Sequence, residues 1–182
     1  MQRIVSILFI FIFPFYFSQE KEKIEKSIIG VQIGLFGGDI YNEARVSNNI
    51  SIRTQISLNP SLWGGDLYSE TGFALTPSIS ISPKIYYNLD KRSEKGYNTK
   101  NNSANYFSAK LEYIPNLFVI SSNKDVYVNE MISLTPSYGL RRNFATNFNY
   151  ELTLGIGVGK ILKRNYDLQV IPNISFKVGY DF

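Results

Sequence analysis

Apolar and polar residues alternate in this chain in run after run, and a period of two means β-strands whose two faces meet different surroundings. The last stretch is the clearest. Leu168, Val170, Ile174, Phe176, Val178, Tyr180 and Phe182 share one face, and Gln169, Asn173, Ser175, Lys177, Gly179 and Asp181 share the other, with Ile171 breaking the polar side. Upstream, Phe148, Tyr150, Leu152, Leu154, Ile156 and Val158 alternate with Asn149, Glu151, Thr153, Gly155, Gly157 and Gly159. Val128, Ile132, Leu134, Tyr138 and Leu140 alternate with Asn129, Ser133, Thr135, Ser137, Gly139 and Arg141, and Phe144 to Asn147 fit a short turn between these two runs.

The pattern continues towards the N-terminus. Phe107, Ala109, Leu111, Tyr113, Leu117 and Val119 oppose Ser108, Lys110, Glu112 and Asn116. Phe73, Leu75, Ile79, Ile81, Ile85, Tyr87 and Leu89 oppose Thr76, Ser78, Ser80, Ser82, Lys84 and Asn88. Ile50, Ile52, Ile56 and Leu58 oppose Ser51, Arg53, Gln55 and Ser57. Ile29, Val31, Ile33 and Leu35 oppose Gly30, Gln32 and Gly34; after Gly37-Gly38 the phase switches, and Ile40, Ala44 and Val46 oppose Tyr41, Glu43 and Arg45. A tight hairpin at Gly37-Gly38 makes eight strands, whereas a bulge there makes seven. Eight is the preferred reading, because an even number brings both termini to one side.

The expected fold is therefore all-β: a single antiparallel up-and-down transmembrane β-barrel over residues 27–182. Alternation alone does not say which face is inside, since a soluble lipocalin-like barrel turns its apolar set inward and a membrane barrel turns it towards lipid. Two features favour lipid. Tyr87, Phe107, Tyr138, Phe148, Tyr150, Tyr180 and Phe182 fall at one end of the apolar face, as an aromatic girdle would. The polar face carries Glu43, Arg45, Arg53, Lys84, Lys110, Glu112, Arg141, Glu151, Lys177 and Asp181, a mixed-sign set suited to pairing in a narrow lumen. Glu130 is the exception on the apolar face, and it lies near a strand end.

The first residues differ from all of this. Arg3 is followed by a run from Ile4 to Phe17 that is apolar except for Ser6 and Pro14, then by polar Ser18-Gln19-Glu20-Lys21. This reads as a signal peptide over residues 1–18, cleaved after Ser18, because the run is shorter than the ~18 to 20 residues that span a bilayer. Residues 19–26 would then form a short periplasmic segment ahead of the barrel. The chain has no cysteine, which excludes disulfides, thiolate metal sites and a lipoprotein anchor. It has no histidine, which removes most zinc chemistry and the commonest general base. Losing Arg3 lowers the formal charge from +4 to +3 without any basic block, so no nucleic-acid partner is expected. Asn49, Asn102 and Asn173 begin N-x-S/T triplets, which are read as chance.

The C-terminal run carries a resemblance. Ile174, Phe176, Val178, Tyr180 and Phe182 resemble the final strand of small Gram-negative outer-membrane barrels of the outer-membrane protein A, X and W type, which end in an aromatic residue preceded by apolar residues at alternate positions. The resemblance implies residence in the outer membrane, contact with its lipid, and recognition of the last strand by the barrel-insertion machinery. The stretch from Ile81 through Tyr86-Tyr87-Asn88-Leu89-Asp90-Lys91-Arg92 is similar to barrel segments of uncharacterised members of this class and carries no functional residue.

Two features strain the reading. Pro77, Pro83, Pro115, Pro136 and Pro172 fall inside expected strands, where each removes a ladder donor, so bulges or breaks are expected there. Asp90 to Asn105 becomes a long periplasmic connection where short turns are usual.

No catalytic, cofactor-binding or metal-ligating residue is expected. An eight-stranded barrel is filled by its own side chains, so the lumen charges are expected to neutralise one another. The glycines at 155, 157 and 159 are expected to make room for large charged side chains. The expected role is non-enzymatic, in envelope integrity or surface binding, with the ligand left open. A small passive pore is the alternative, and a lipid-modifying enzyme the third possibility. The segment from Asn59 to Gly72, with Trp63, Gly64, Gly65, Asp66 and Tyr68, is the candidate outer binding loop.

Overall fold

A computed structural model of the chain describes residues 22–182 except 36, 64–70, 124, 125, 127 and 164. The expected signal peptide, and Gly64, Gly65, Asp66 and Tyr68 of the expected binding loop, lie outside the described residues. The strands are β1 (Ser27–Gly34), β2 (Gly38–Ser47), β3 (Ile50–Trp63), β4 (Gly72–Tyr86), β5 (Asn105–Ile114), the two-residue β6 (Ile120–Ser121), β7 (Met131–Asn143), β8 (Phe148–Ile161) and β9 (Gln169–Asp181). A short helix α1 (Leu89–Glu94) and a 3-10 turn at Lys100–Asn102 lie between β4 and β5.

All pairings are antiparallel, and they run β3-β2-β1-β9-β8-β7-β5-β4 with β4 returning to β3. Eight strands therefore close into a ring, leaving β6 as a short addition on β4. Gly37-Gly38 is a hairpin: β1 and β2 pair from Ser27↔Ala44 to Ile33↔Gly38, and the Gly34 amide donates to the Gly37 carbonyl at 2.8 Å. The start of β1, the end of β9, the β2–β3 and β7–β8 turns and the long β4–β5 connection share one end of the barrel, here the terminal end.

The barrel is inside-out relative to a soluble protein. Ile33, Ile156 and Ile174 are 71, 69 and 80 % exposed on the outer face, whereas Glu43 and Arg141 in the lumen are 0 % exposed. A cluster of buried apolar side chains lies at the terminal end, where Ile24, Tyr86, Leu89, Ala104 and Tyr106 pack together.

Several details depart from the sequence reading. Leu89 does not continue the outer face of β4; it starts α1 and turns inward beneath the barrel. β5 stops at Ile114, so Leu117 and Val119 lie beyond it, and Val128 and Asn129 precede β7. The expected loop is narrower than Asn59 to Gly72, because Asn59 to Trp63 are strand residues paired with Thr76 to Gly72.

Of the prolines expected to break strands, Pro77 and Pro172 sit in continuous rungs and Pro115 lies beyond β5, whereas Pro83 and Pro136 each interrupt one ladder without shifting it. Between β4 and β5 the register passes from Ile81↔Leu111 to Lys84↔Ser108, and between β7 and β8 from Leu134↔Val158 to Ser137↔Gly155. In each case the rungs around Pro83 or Pro136 are missing and the same alignment resumes. The register shift that does occur lies between Arg45 and Ser47, away from any proline.

The aromatic girdle is an arc. Tyr87, Phe107 and Tyr138 form one set, with ring centroids 5.4 Å apart for Tyr87–Phe107 and 5.7 Å for Phe107–Tyr138. Phe148, Tyr180 and Phe182 form another, at 5.1 and 5.4 Å, joined by Phe144. These rings lie on β4, β5, β7, β8, β9 and their turns, and the described outward side chains of β1 to β3 present aliphatic residues instead.

The glycine series on β8 has a different cause from the one expected. A Cβ at Gly155 would meet the Pro136 carbonyl oxygen and the Ser137 hydroxyl, and one at Gly157 the Leu134 carbonyl oxygen and Thr135. The close approach of β7 requires glycine at 155 and 157, and at 159 the Ile171 side chain of β9 takes the space, so no large charged side chain is involved.

Candidate functional site

The terminal half of the lumen holds three carboxylates, three cations and three tyrosines. Alternation on β2, β8 and β9 points Glu43, Glu151 and Asp181 inward, and on β3, β4 and β7 it does the same for Arg53, Lys84 and Arg141. Arg53 bridges two carboxylates, with Nη2 2.9 Å from Glu43 and Nη1 2.9 Å from Glu151. Lys84 Nζ also spans both, at 2.6 Å from Glu151 and 3.4 Å from Glu43. Arg141 lies 2.7 Å from Asp181 and 3.4 Å from Glu151.

Each carboxylate also accepts from its own phenol. Tyr86 donates to Glu43 at 2.6 Å, Tyr106 donates to Glu151, and Tyr41 donates to Asp181. The tyrosine rings carry the cations on their faces, with Arg53 4.1 Å from the Tyr41 centroid and Lys84 4.1 Å from that of Tyr106. Burying these ions is costly unless charges are met and polar atoms satisfied, and here the charge balances and every ion has an opposite partner, with Arg53 Nη2 the one polar atom of the cluster that meets its carboxylate without a hydrogen bond.

The β4–β5 connection is what closes the terminal end. Asn102 donates to Glu43 at 2.7 Å and Asn101 to Asp181 at 3.0 Å, while Arg141 Nε donates to the Asn101 carbonyl at 2.8 Å. Asn101 and Asn102 take positive φ, 50° and 59°, which lets two consecutive side chains enter the barrel mouth. Asn102, read as a chance triplet in the sequence, is therefore buried structure. The segment from Asp90 to Asn105 is long because it is a cap. Residues 22–26 join it: the Glu25 amide donates to Asn102 at 2.7 Å, and Arg45 donates to the Ile24 carbonyl at 2.9 Å.

Towards the far end the lumen widens into a cup. Its ionic groups are Lys110 beside Glu112 at 3.0 Å and Lys177 beside Asp39. Every charge expected in the lumen lies on its inner face; Arg45 stands at the mouth on the Ile24 carbonyl, and the others meet an opposite charge. Asp39, Gln32 and the phenols of Tyr86 and Tyr106 are site residues that the sequence reading did not single out. The signal was present, since Tyr86 is two residues from Lys84, Tyr106 two from Ser108, and Asp39 two from Tyr41.

Among the described residues no group of three or more His, Cys, Asp or Glu side chains is placed to hold a metal ion. No protein-family model matches the chain, and no curated protein matches it. The likeness to barrels of the A, X and W type therefore rests on the pattern of the last strand. What the geometry itself establishes is a closed eight-stranded ring whose buried interior is held together by ion pairs.

Proposed function

We propose that this protein is an integral barrel of the Gram-negative outer membrane, with its termini in the periplasm and its cup facing outward, acting in envelope integrity or surface binding. The observation that carries this reading is the reversal of polarity. Aliphatic side chains cover the outer wall all round, while Arg53, Lys84, Arg141, Glu43, Glu151 and Asp181 are buried inside. Water would disfavour so continuous an apolar wall, whereas lipid requires it, and a charge turned outward at mid-bilayer would cost ~2 to 4 kcal/mol for Lys or Arg. A closed ring also leaves no backbone edge around most of the wall, as hydrocarbon demands. Seven of the eight ring strands have 10 to 15 residues, enough for the ~9 to 11 that cross a bilayer.

The test is fractionation followed by electrophoresis in SDS with and without boiling. The protein is expected in the outer-membrane fraction, with a folded band whose mobility changes on boiling. A soluble protein of unshifted mobility would reverse the assignment of the faces.

The cap and the ion cluster favour a closed barrel over the small passive pore. Purified protein in planar bilayers is expected to show no steady conductance above background, and neutralising Arg53 is expected to leave that unchanged. Steps that respond to Arg53 or Lys110 would restore the pore reading.

Recognition by the barrel-insertion machinery makes a separate prediction. Phe182 is exposed, its ring stacks edge-on at 5.4 Å from Tyr180, and its amide donates to the Ile29 carbonyl at 2.8 Å, the last bond of the β9–β1 seam. Deleting Phe182 is expected to lower the heat-modifiable fraction in cells several-fold while the purified variant still refolds in detergent. Equal assembly of both proteins would separate Phe182 from insertion.

A further inference from the structure

The wall of the barrel has a notch at its far end. β1 and β2 turn back at Gly34–Gly38, but their outer neighbours continue. The last β1–β9 pair is Gly34↔Lys177, beyond which β9 runs on from Phe176 to Gln169 paired only with β8. The last β2–β3 pair is Gly38↔Leu58, beyond which β3 runs from Asn59 to Trp63 paired only with β4. Two strand edges therefore face each other across the space of the two missing strands, about three strand spacings or ~14 Å. The fold meets a similar shortfall beside β5 differently, since β6 covers β4 at Ala74 and Leu75. Among the described residues no strand covers the edges of β3 and β9.

A cavity of about 830 Å³ fills this notch and passes through the wall. Its sill is the β1–β2 hairpin, its outer rim is apolar at Ile33, Leu35, Ile174 and Phe176, and its inner end reaches Lys110, Glu112 and Lys177. The same two lysines line the smaller, deeper cavity of about 70 Å³ above the ion cluster. Both belong to ion pairs in which the cation is the exposed partner. Lys110 and Lys177 side chains are 27 and 25 % exposed, against 10 and 0 % for Glu112 and Asp39. Glu112 also lines the cavity, but its carboxylate is the more buried partner and accepts from Asn59 at 3.1 Å and Ser78 at 2.9 Å, so the two ammonium groups are the more accessible charges to an arriving group.

The outer wall beside the notch is apolar at Val170, Ile174 and Phe176, which places the opening at the depth of hydrocarbon if the barrel spans the outer membrane. Unpaired backbone at that depth is tolerated only where it lines a polar cavity. We infer that the notch is a lateral port through which a single-chain anionic amphiphile enters the cup from the outer leaflet, its tail on the apolar rim and its acidic head on Lys110 and Lys177. The volume lies within the ~300 to 1,000 Å³ of small-molecule sites. This inference rests on the outer-membrane reading above.

The test uses the full-length protein in proteoliposomes and a C16 fatty acid carrying a diazirine on its tail. Photolabelling is expected on lumen-facing residues of β9 and β5, with competition by unmodified palmitate and none by hexadecanol or inorganic phosphate. Loss of the charge-assisted contacts in a Lys110→Met, Lys177→Met double variant is expected to weaken binding about tenfold or more. Ser175→Trp, which places an indole in the opening, is expected to abolish lumen labelling and serves if the double variant fails to fold. Labelling confined to outward residues, equal in all three proteins whose boiled and unboiled bands differ, would overturn the port and leave the membrane reading intact. Equal competition by hexadecanol would overturn the acidic head. A protein without any heat-dependent shift would remove the membrane reading and the port together.

Discussion

Replacing Glu151 with alanine is expected to destabilise the barrel by about 3 to 5 kcal/mol, the cost of leaving buried charge without its partner. Glu151 is the hub of the lumen. It accepts from Gln32 at 2.9 Å, Arg53 at 2.9 Å and Lys84 at 2.6 Å, from Tyr106, and from Arg141 at 3.4 Å. Without it, three cations share Glu43 and Asp181, and the phenol of Tyr106 loses its acceptor. Urea unfolding of the protein in lipid vesicles measures the loss. Glu112→Ala is the comparison, because Lys110 is partly solvated and the expected cost is about 1 kcal/mol. Glu151→Gln separates shape from charge: it keeps the volume but leaves the same deficit, so it is expected to be nearly as damaging as alanine. Adding Lys84→Met to Glu151→Gln restores neutrality and is expected to recover part of the loss, a coupling that a double-mutant cycle resolves. Equal stability of Glu151→Ala and the unaltered protein would mean that water reaches the cluster and screens it.

Much of this was legible in the sequence, and for one physical reason. A strand has only two faces, so each inward residue announces itself by its parity. Glu43, Arg53, Lys84, Arg141, Glu151 and Asp181 were readable as one lumen set before any geometry was known. Their partners across the barrel were not readable, because pairing depends on the stagger between strands, and stagger leaves no mark in a period of two. Tyr86 and Tyr106 show a second blind spot. Tyrosine suits both an outer girdle and a buried hydrogen bond, so composition placed attention on Tyr87 and Tyr138 while parity pointed the neighbouring tyrosines inward.

The cap and the notch were illegible for different reasons. Residues 90–104 carry no period, and their role comes from Asn101 and Asn102 taking left-handed backbone that no short motif announces. The notch arises from unequal strand lengths: β1 has 8 residues where β9 has 13 and β3 has 14. The Gly37-Gly38 hairpin was visible, but its height relative to its neighbours depended on the registers. The two features complement each other. One end is sealed by side chains that finish an ionic network, and at the other, among the described residues, the wall runs out of strand.

The glycines tie that network to the wall, and Gly139 is the position where the tie is tightest. Gly139 pairs with Tyr106 across β5 and β7, and the Tyr106 ring lies where a Cβ of residue 139 would stand. The ring has little freedom to yield. Lys84 sits over it at 4.1 Å, Tyr86 packs at 5.4 Å, and its hydroxyl is bound to Glu151. An aromatic ring laid over a glycine on the adjacent strand fills the space the glycine leaves and fixes register. Gly139→Ala is therefore expected to cost about 1 to 3 kcal/mol, the range of an overpacked site, despite the better intrinsic fit of alanine to a strand. Gly34→Ala is the milder comparison, where the added carbon would lie 3.2 Å from both the flexible Lys177 side chain and the Phe176 carbonyl oxygen, and a cost below about 1 kcal/mol is expected. In a Tyr106→Leu background the cost of Gly139→Ala should largely vanish, because the obstructing ring is gone. If the cost persists there, the glycine is required by the backbone of β7 itself, and Tyr106 is held by Glu151 and Lys84 alone.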